Sequence, residues 1–365
     1  MKKVGIVVGT RPNFIKITQF RREFEKYPGQ YEYKLIHTGQ HYDKNMSDIF
    51  FEQFGLKNPD VFLNIKDLSP AAQIGEIIIQ LSAFLAEWKP DLLIVPGDVN
   101  STMAASIAAN KTGTRLAHLE SGLRSFDREM PEELNRLVTD VLADEFFVTE
   151  QSGVDNIEKE PSCGGNVHFV GNTMIDAIVG FDADIEKSEI LEKLNIKPQG
   201  YVLMTVHRPS NVDTKEKLHK LIEVVNFITQ NYHLVFPIHP RTRKSLERFG
   251  LLDQLTNNDR VLFSPPLDYM SFQKLIKYSK FILTDSGGIQ EEATFRQVPC
   301  LTLRENTERP ITITSGSNTL VPFDVDIISG YVDSITNGSY KQGEVPPLWD
   351  GKATERIVKI LNTIL

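Results

Sequence analysis

Residues 281–309 read FILTDSGGIQEEATFRQVPCLTLRENTER, and their order decides the architecture. FILT is a short apolar run of the kind that forms a buried strand, DSGG is a turn, and GIQEEATFR has the composition of a helix. Gly287 and Gly288 let the backbone come close to a ligand, while the unpaired amides and dipole of the helix start favour an anion such as a diphosphate. A carboxylate one turn in, Glu291 or Glu292, is placed to meet a ribose hydroxyl pair. Two glycines alone would mark an ordinary connection. The continuation adds to them: PCLTLR reads as a second strand ending in Arg304, with Glu308 and Arg309 close behind.

Outward from this stretch the same alternation fills the chain. Strand patterns fall at residues 4–8, 33–37, 91–95, 115–119, 145–149 and 167–170, then restart at 201–206, 234–238, 261–263, 281–283 and 300–303. Helical patterns lie between them, most clearly at 71–88. Alternation of this kind predicts a doubly wound parallel α/β fold in two similar halves. The join falls between about residues 171 and 200, and we take domains of 1–171 and 172–352 with an amphipathic helix at 353–365. At 365 residues the chain is long for a single core. Its 41% hydrophobic and 24% charged content is that of a globular protein. A net charge of −8 argues against a nucleic acid or a membrane surface as the main partner. Cys163 and Cys300 lie far apart and outside metal-ligand spacing, which fits a reduced, cytoplasmic setting. The opening MKKVGIVVGTRPN has the basic start of a signal peptide, but its apolar run is only strand length before Arg11 and Pro12. No segment is long enough to span a bilayer.

In open parallel sheets ligands sit beyond the carboxyl ends of the strands. The polar residues there are GTRPN with Arg11; HTGQHYD with His37, Gln40, His41 and Asp43; PGDVNST with Asp98, Asn100 and Ser101; and HLESGLRSFDREMPEELNR with His118, Glu120, Arg124, Glu132 and Arg136. The second half adds His207 and Arg208 in TVHRPSN, and His239 and Arg241 in PIHPRTR. GTRPN is not a GxGxxG turn, which speaks against a nicotinamide or flavin cofactor. Each residue also has a bland reading. Asp98 and Asn100 are common helix caps, a glutamate near a helix start is favoured by the dipole, and a lone histidine is more often structural than catalytic. His37, His41 and Asp43 match no compact metal spacing, so no metal is expected. Two carboxylates at the ends of neighbouring strands, Asp98 and Glu120, with histidine and arginines supplied by the other half, instead suggest acid and base groups beside a diphosphate site.

The ordered blocks GTRPNFIK, HTGQHYDKNM, PGDVNST, HLESGLRSFDREMPEELNR, GNTMIDA, TVHRPSN, PIHP, TDSGGIQEEA and LRENTERP cover nearly the whole chain. Together they resemble the non-hydrolysing UDP-N-acetylglucosamine 2-epimerase family. The resemblance implies a GT-B type fold, two Rossmann-like domains with an interdomain active-site cleft and the C-terminal helix crossing back to the first. It implies elimination of UDP to a 2-acetamidoglucal, then re-addition with inversion at carbon 2, without cofactor or metal. By motif, Asp98, Glu120, Glu132 and His207 are the expected catalytic residues. Arg11, His41, Arg136, Ser286, Gly287, Gly288, Glu292 and Arg309 are expected to bind substrate, and Gln40, Arg208 and His239 match part of a second, allosteric UDP-N-acetylglucosamine site. Which carboxylate is the base stays open. A homodimer is expected from the family. Asn13 stands where many members have glutamate, and RSFDREMPEE is shorter than in well-known bacterial members and similar to relatives acting on 2,3-diacetamido sugars. Such a sugar nucleotide is the alternative substrate. A glycosyltransferase on the same fold is the alternative of another class, and a non-catalytic sugar-nucleotide binder is disfavoured by the carboxylates.

Overall fold

In the computed structural model, which describes residues 1–39, 53–63, 65 and 69–365, the described residues form two all-parallel sheets. The first holds β1 (Lys2–Val8), β2 (Tyr31–His37), β3 (Val61–Phe62), β4 (Leu92–Pro96), β5 (Leu116–Ser121), β6 (Glu145–Val148) and β7 (Asn166–Phe169). The second holds β8 (Tyr201–Thr205), β9 (His233–Pro237), β10 (Val261–Ser264), β11 (Phe281–Thr284), β12 (Cys300–Thr302) and β13 (Asn318–Leu320). Their orders are β3-β2-β1-β4-β5-β6-β7 and β10-β9-β8-β11-β12-β13. Each sheet starts in its middle, grows to one side, then reverses and grows to the other. The reversals, between β1 and β4 and between β8 and β11, are the switch points where such sheets leave a crevice.

The central strands carry apolar residues continuously because helices cover both faces. KVGIVV in β1 and LLIV in β4 are buried throughout their inner residues. The Pro70–Trp88 helix shows how the coverage is specified. Ser69 caps it by accepting from the Ala72 amide at 3.4 Å, Pro70 opens its first turn, and Lys89 ends it in the left-handed region at φ 51°. Ile77, Leu81 and Leu85 recur on one stripe and pack on Leu93 and Val95 of the sheet. In the second sheet Val202, Met204, Phe236 and Leu283 face one helical layer, and Tyr201, Leu203, Val235 and Ile282 face the other.

By its contacts the chain divides into Met1–Gly180 with Pro347–Leu365, and Phe181–Pro346. The first body runs past residue 171 because the Thr173–Gly180 helix buries Met174, Ile175, Ala177 and Ile178 in it. The Ala353–Ile364 helix is held there by Asp176, whose carboxylate accepts from the amides of Ala353 at 3.0 Å and Thr354 at 2.6 Å. Trp349 donates its ring N–H to the Thr149 carbonyl at 3.0 Å. The sequence pattern had predicted neither β3 nor β13. Both are edge strands of two or three residues, too short to show a period of two. Both cysteines are free, and among the described residues no helix is long and apolar enough to cross a membrane.

Candidate active site

On the first body the polar residues gather at the β1/β4 switch point. After β1, Thr10 precedes the Arg11–Ile17 helix with Pro12 near its start. The Asn13 carbonyl oxygen accepts from the amides of Gly9 at 3.3 Å and Thr10 at 3.2 Å, while its amide nitrogen donates to the Pro96 carbonyl at 3.1 Å. Asn13 thereby ties the end of β1 to the end of β4. A glutamate side chain has no N–H to give Pro96, so this bond depends on the amide of asparagine. Arg11 stands exposed at the helix start.

Beyond β4, Gly97 takes φ +70°, and a Cβ there would meet Lys16 Nζ at 2.8 Å. Asp98 follows and is paired with Arg136, Nη1 to Oδ2 at 2.5 Å, while the Asn135 side chain holds the Asp98 carbonyl at 2.8 Å. The helix Asn100–Thr112 has Val99 at its N-cap, so neither Asp98 nor Asn100 serves as that cap. Glu120 sits at a register shift near the end of β5, at φ +72°. A non-glycine residue in that region stores strain that its surroundings must hold. Its carboxylate is buried and ion-paired with Lys16 Nζ. Lys16 was visible in the sequence only as a lysine inside the apolar run NFIKI, and nothing about its spacing assigned it a role.

The helix Pro131–Leu142 divides its glutamates. Glu133 is buried and accepts from the Ser125 and Phe126 amides at 2.9 and 3.1 Å and from Arg136 at 2.8 Å. Burial pushes its carboxyl pKa up, but these donors and the Arg136 charge outweigh burial and hold it below the usual range. Glu132 is exposed one position earlier, because neighbours on a helix point about 100° apart. His118 is enclosed between Asp140, at 2.6 Å from Nδ1, and the Gly97 carbonyl, at 2.8 Å from Nε2. Arg124 pairs with the same Asp140 at 2.6 Å. For Asp140 burial again raises the pKa, and His118 with Arg124 brings it down below the ordinary value. His118 and Arg124 are therefore a buried scaffold under Gly97. His37 is also buried, its ring stacked between Phe14 and Phe62, with Nδ1 accepting from Gly39 at 2.8 Å. Gln40, His41 and Asp43 lie outside the described residues. No group of three or more potential metal ligands occurs among the described residues.

On the second body the switch point joins β8 to β11. His207 Nδ1 lies 3.0 Å from Asp285 Oδ1, and the same carboxylate accepts from the Arg208 amide at 2.8 Å and Asn211 Nδ2 at 3.1 Å. His239, at the cap of the Pro240–Arg248 helix, places its ring 5.2 Å from that of His207. Arg208 returns a side-chain bond to the Asp285 carbonyl at 3.1 Å. Ser286 precedes the Gly287–Arg296 helix and gives it no side-chain cap. The first-turn amides of Gly287 and Gly288 thus carry the positive end of the helix dipole. A Cβ on Gly287 would lie 2.9 Å from both Arg309 Nη1 and Glu308 Oε1, so a larger residue would have to displace this ion pair. Arg304, Glu308, Arg309 and Glu291 form one buried charge network, with Arg304 to Glu308 at 2.8 Å and Arg309 to Glu291 at 2.9 Å. Burial alone would raise the Glu308 pKa, and the two arginines hold it far below the ordinary carboxylate range. Of the two carboxylates considered for a ribose contact, Glu291 is committed to Arg309, and Glu292 is buried one position on. Sequence reasoning missed Asp285 as the hub of this cluster, although it stands in the DSGG turn itself.

Comparison with known proteins identifies the family. Residues 22–362 match the UDP-N-acetylglucosamine 2-epimerase family. A UDP-N-acetylglucosamine 2-epimerase of Methanococcus maripaludis is 41% identical, with 99% of this chain and 98% of the relative aligned. A UDP-2,3-diacetamido-2,3-dideoxy-D-glucuronate 2-epimerase of Pseudomonas aeruginosa is 35% identical over 98% of this chain and 99% of the relative. The crystal structure of Methanocaldococcus jannaschii UDP-GlcNAc 2-epimerase in complex with UDP-GlcNAc and UDP superposes with a TM-score of 0.88 at 39% identity, covering 99% of both chains.

Proposed function

Since the chain belongs to the UDP-N-acetylglucosamine 2-epimerase family and is by that membership an isomerase, we propose that it interconverts UDP-N-acetylglucosamine and UDP-N-acetylmannosamine without hydrolysis. A carboxylate takes the proton from carbon 2 while the bond from carbon 1 to the UDP oxygen breaks, leaving a 2-acetamidoglucal. Return of a proton to the opposite face of carbon 2, with UDP re-adding at carbon 1, gives the 2-epimer. The proton at carbon 2 is weakly acidic, so the base must be positioned and the departing charge stabilised.

The observation that carries this reading is Glu120, held at φ +72° at a strand end with Lys16 against its carboxylate. Asp98 on Arg136 supplies a second carboxylate at the neighbouring strand, and Glu132 is the third candidate acid. On the second body, His207, the amides of the Gly287 helix start with Ser286 and Gly288, and Arg309 are the groups for a diphosphate, with Glu292 for the ribose. Arg11 and His41 complete the substrate contacts, and Gln40, Arg208 and His239 an allosteric one. A cytoplasmic homodimer feeding surface polysaccharide synthesis is the setting the family resemblance suggests.

Proton NMR of the protein with UDP-N-acetylglucosamine in deuterated water, with no added metal or nicotinamide, tests the proposal. UDP-N-acetylmannosamine carrying deuterium at carbon 2 is the expected product. Turnover of the 2,3-diacetamido glucuronate with none of UDP-N-acetylglucosamine would transfer the assignment to the substrate of the Pseudomonas relative.

A further inference from the structure

Resting on that reading of the reaction, we infer that Asp285 is a positioning residue that fixes which ring nitrogen of His207 carries the proton, and so which one faces the substrate. β8 and β11 are the two strands on either side of the switch point in the second sheet, paired in register up to Thr205 opposite Thr284. The residue after β11, Asp285, donates its amide to the Thr205 carbonyl at 3.2 Å and turns a fully buried carboxylate toward the loop after β8. Oδ2 accepts from the amides of His207 at 2.9 Å and Arg208 at 2.8 Å and from Asn211 Nδ2 at 3.1 Å. Oδ1 lies 3.0 Å from His207 Nδ1 and also accepts from the His207 amide at 3.1 Å.

A carboxylate can only accept, so Nδ1 carries a hydrogen and Nε2 is the nitrogen left for a ligand. The His207 side chain is 39% exposed and the carboxylate is not exposed at all. The backbone contacts alone would make Asp285 a staple for the loop. The contact to the ring is additional, and its chemistry separates the two roles. An asparagine at 285 would keep its oxygen where three donors converge and turn its NH2 toward the ring. That amide can only donate, so Nδ1 would become the acceptor and the proton would move to Nε2. The ring would then present an N–H at Nε2 in place of a lone pair.

The test uses nitrogen-15 histidine spectra and steady-state kinetics of the full chain, with His207 assigned among the eight histidines by the signal lost in His207→Asn. The wild type is expected to show protonated Nδ1, and Asp285→Asn protonated Nε2. The variant should lose at least about 10²-fold in kcat with KM within about 3-fold, as when a tautomer-setting aspartate is removed elsewhere. Asn211→Ala takes a donor from the same carboxylate without touching the ring, and should leave the tautomer unchanged and kcat within about 3-fold. Protonated Nε2 in the wild type, near-normal kcat in Asp285→Asn, or an equal loss in Asn211→Ala would overturn the inference. If the spectra change as expected but the wild type does not epimerise UDP-N-acetylglucosamine, the substrate assignment fails while the positioning of His207 by Asp285 stands.

Discussion

Arg136 Nη1 lies 2.5 Å from Asp98 Oδ2, so the partly exposed Asp98 carboxylate rests on a guanidinium that is itself buried. The same guanidinium holds Glu133 at 2.8 Å. One arginine thereby connects a residue proposed for chemistry with a residue that shapes the loop at Ser125. Arg136→Gln is expected to cost about 3–5 kcal/mol in the unfolding of the first body, because it strands a buried carboxylate. Asp98→Asn should cost little stability and lower turnover by about 10²-fold or more. Chemical denaturation of both variants, set beside their kcat, checks this division.

Glu120→Gln keeps the shape of the side chain and removes the charge facing Lys16. Turnover is expected to fall by about 10²–10⁴-fold, with UDP affinity, measured by calorimetry, within about 3-fold of wild type. Retained turnover in this variant would remove Glu120 from the mechanism.

Gly287→Ala places a methyl 2.9 Å from Arg309 Nη1 and Glu308 Oε1. Those atoms are the ends of buried side chains tied into a four-residue network and cannot simply swing aside. UDP binding should weaken at least about 10-fold, equivalent to about 1.4 kcal/mol. Equal UDP affinity would place the nucleotide elsewhere.

His37 gives a pH dependence of stability with a defined sign. Burial lowers its ring pKa from 6.5 to about 4 in the folded state. Its contribution is therefore fully present above the unfolded pKa of about 6.5 and is lost as pH falls toward the folded value. The first body is expected to lose about 2 kcal/mol between pH 7 and pH 5 from this group. Urea unfolding at the two pH values should show a smaller difference in His37→Phe.

Asn13→Asp retains the oxygen that accepts from Gly9 and Thr10 but removes the donor to the Pro96 carbonyl. Thr102 Oγ1 still donates to that carbonyl at 2.8 Å, so an expected loss of about 0.5–1.5 kcal/mol in unfolding free energy follows from removing one of its two donors.

The sequence by itself determined the two parallel sheets and the strand ends on which the polar residues stand. Runs such as LLIVP followed by GD, or FILT followed by DSGG, combine continuous burial with a turn, and both signals are local. The motifs also brought Asp98, Glu120, His207 and Gly287 into view together. Tertiary structure decided what each of these residues touches. Lys16 lies on Glu120 because the Arg11–Ile17 helix runs beside the end of β5, which no spacing in the sequence encodes. Glu133 is buried and Glu132 is exposed because the 125–126 loop and Arg136 enclose only one face of their helix. Asp285 looked like one turn residue among several until the pairing of β8 with β11 put its carboxylate beneath His207. Local propensity acts over a few neighbouring residues, whereas a salt bridge or a tautomer depends on where distant strands meet.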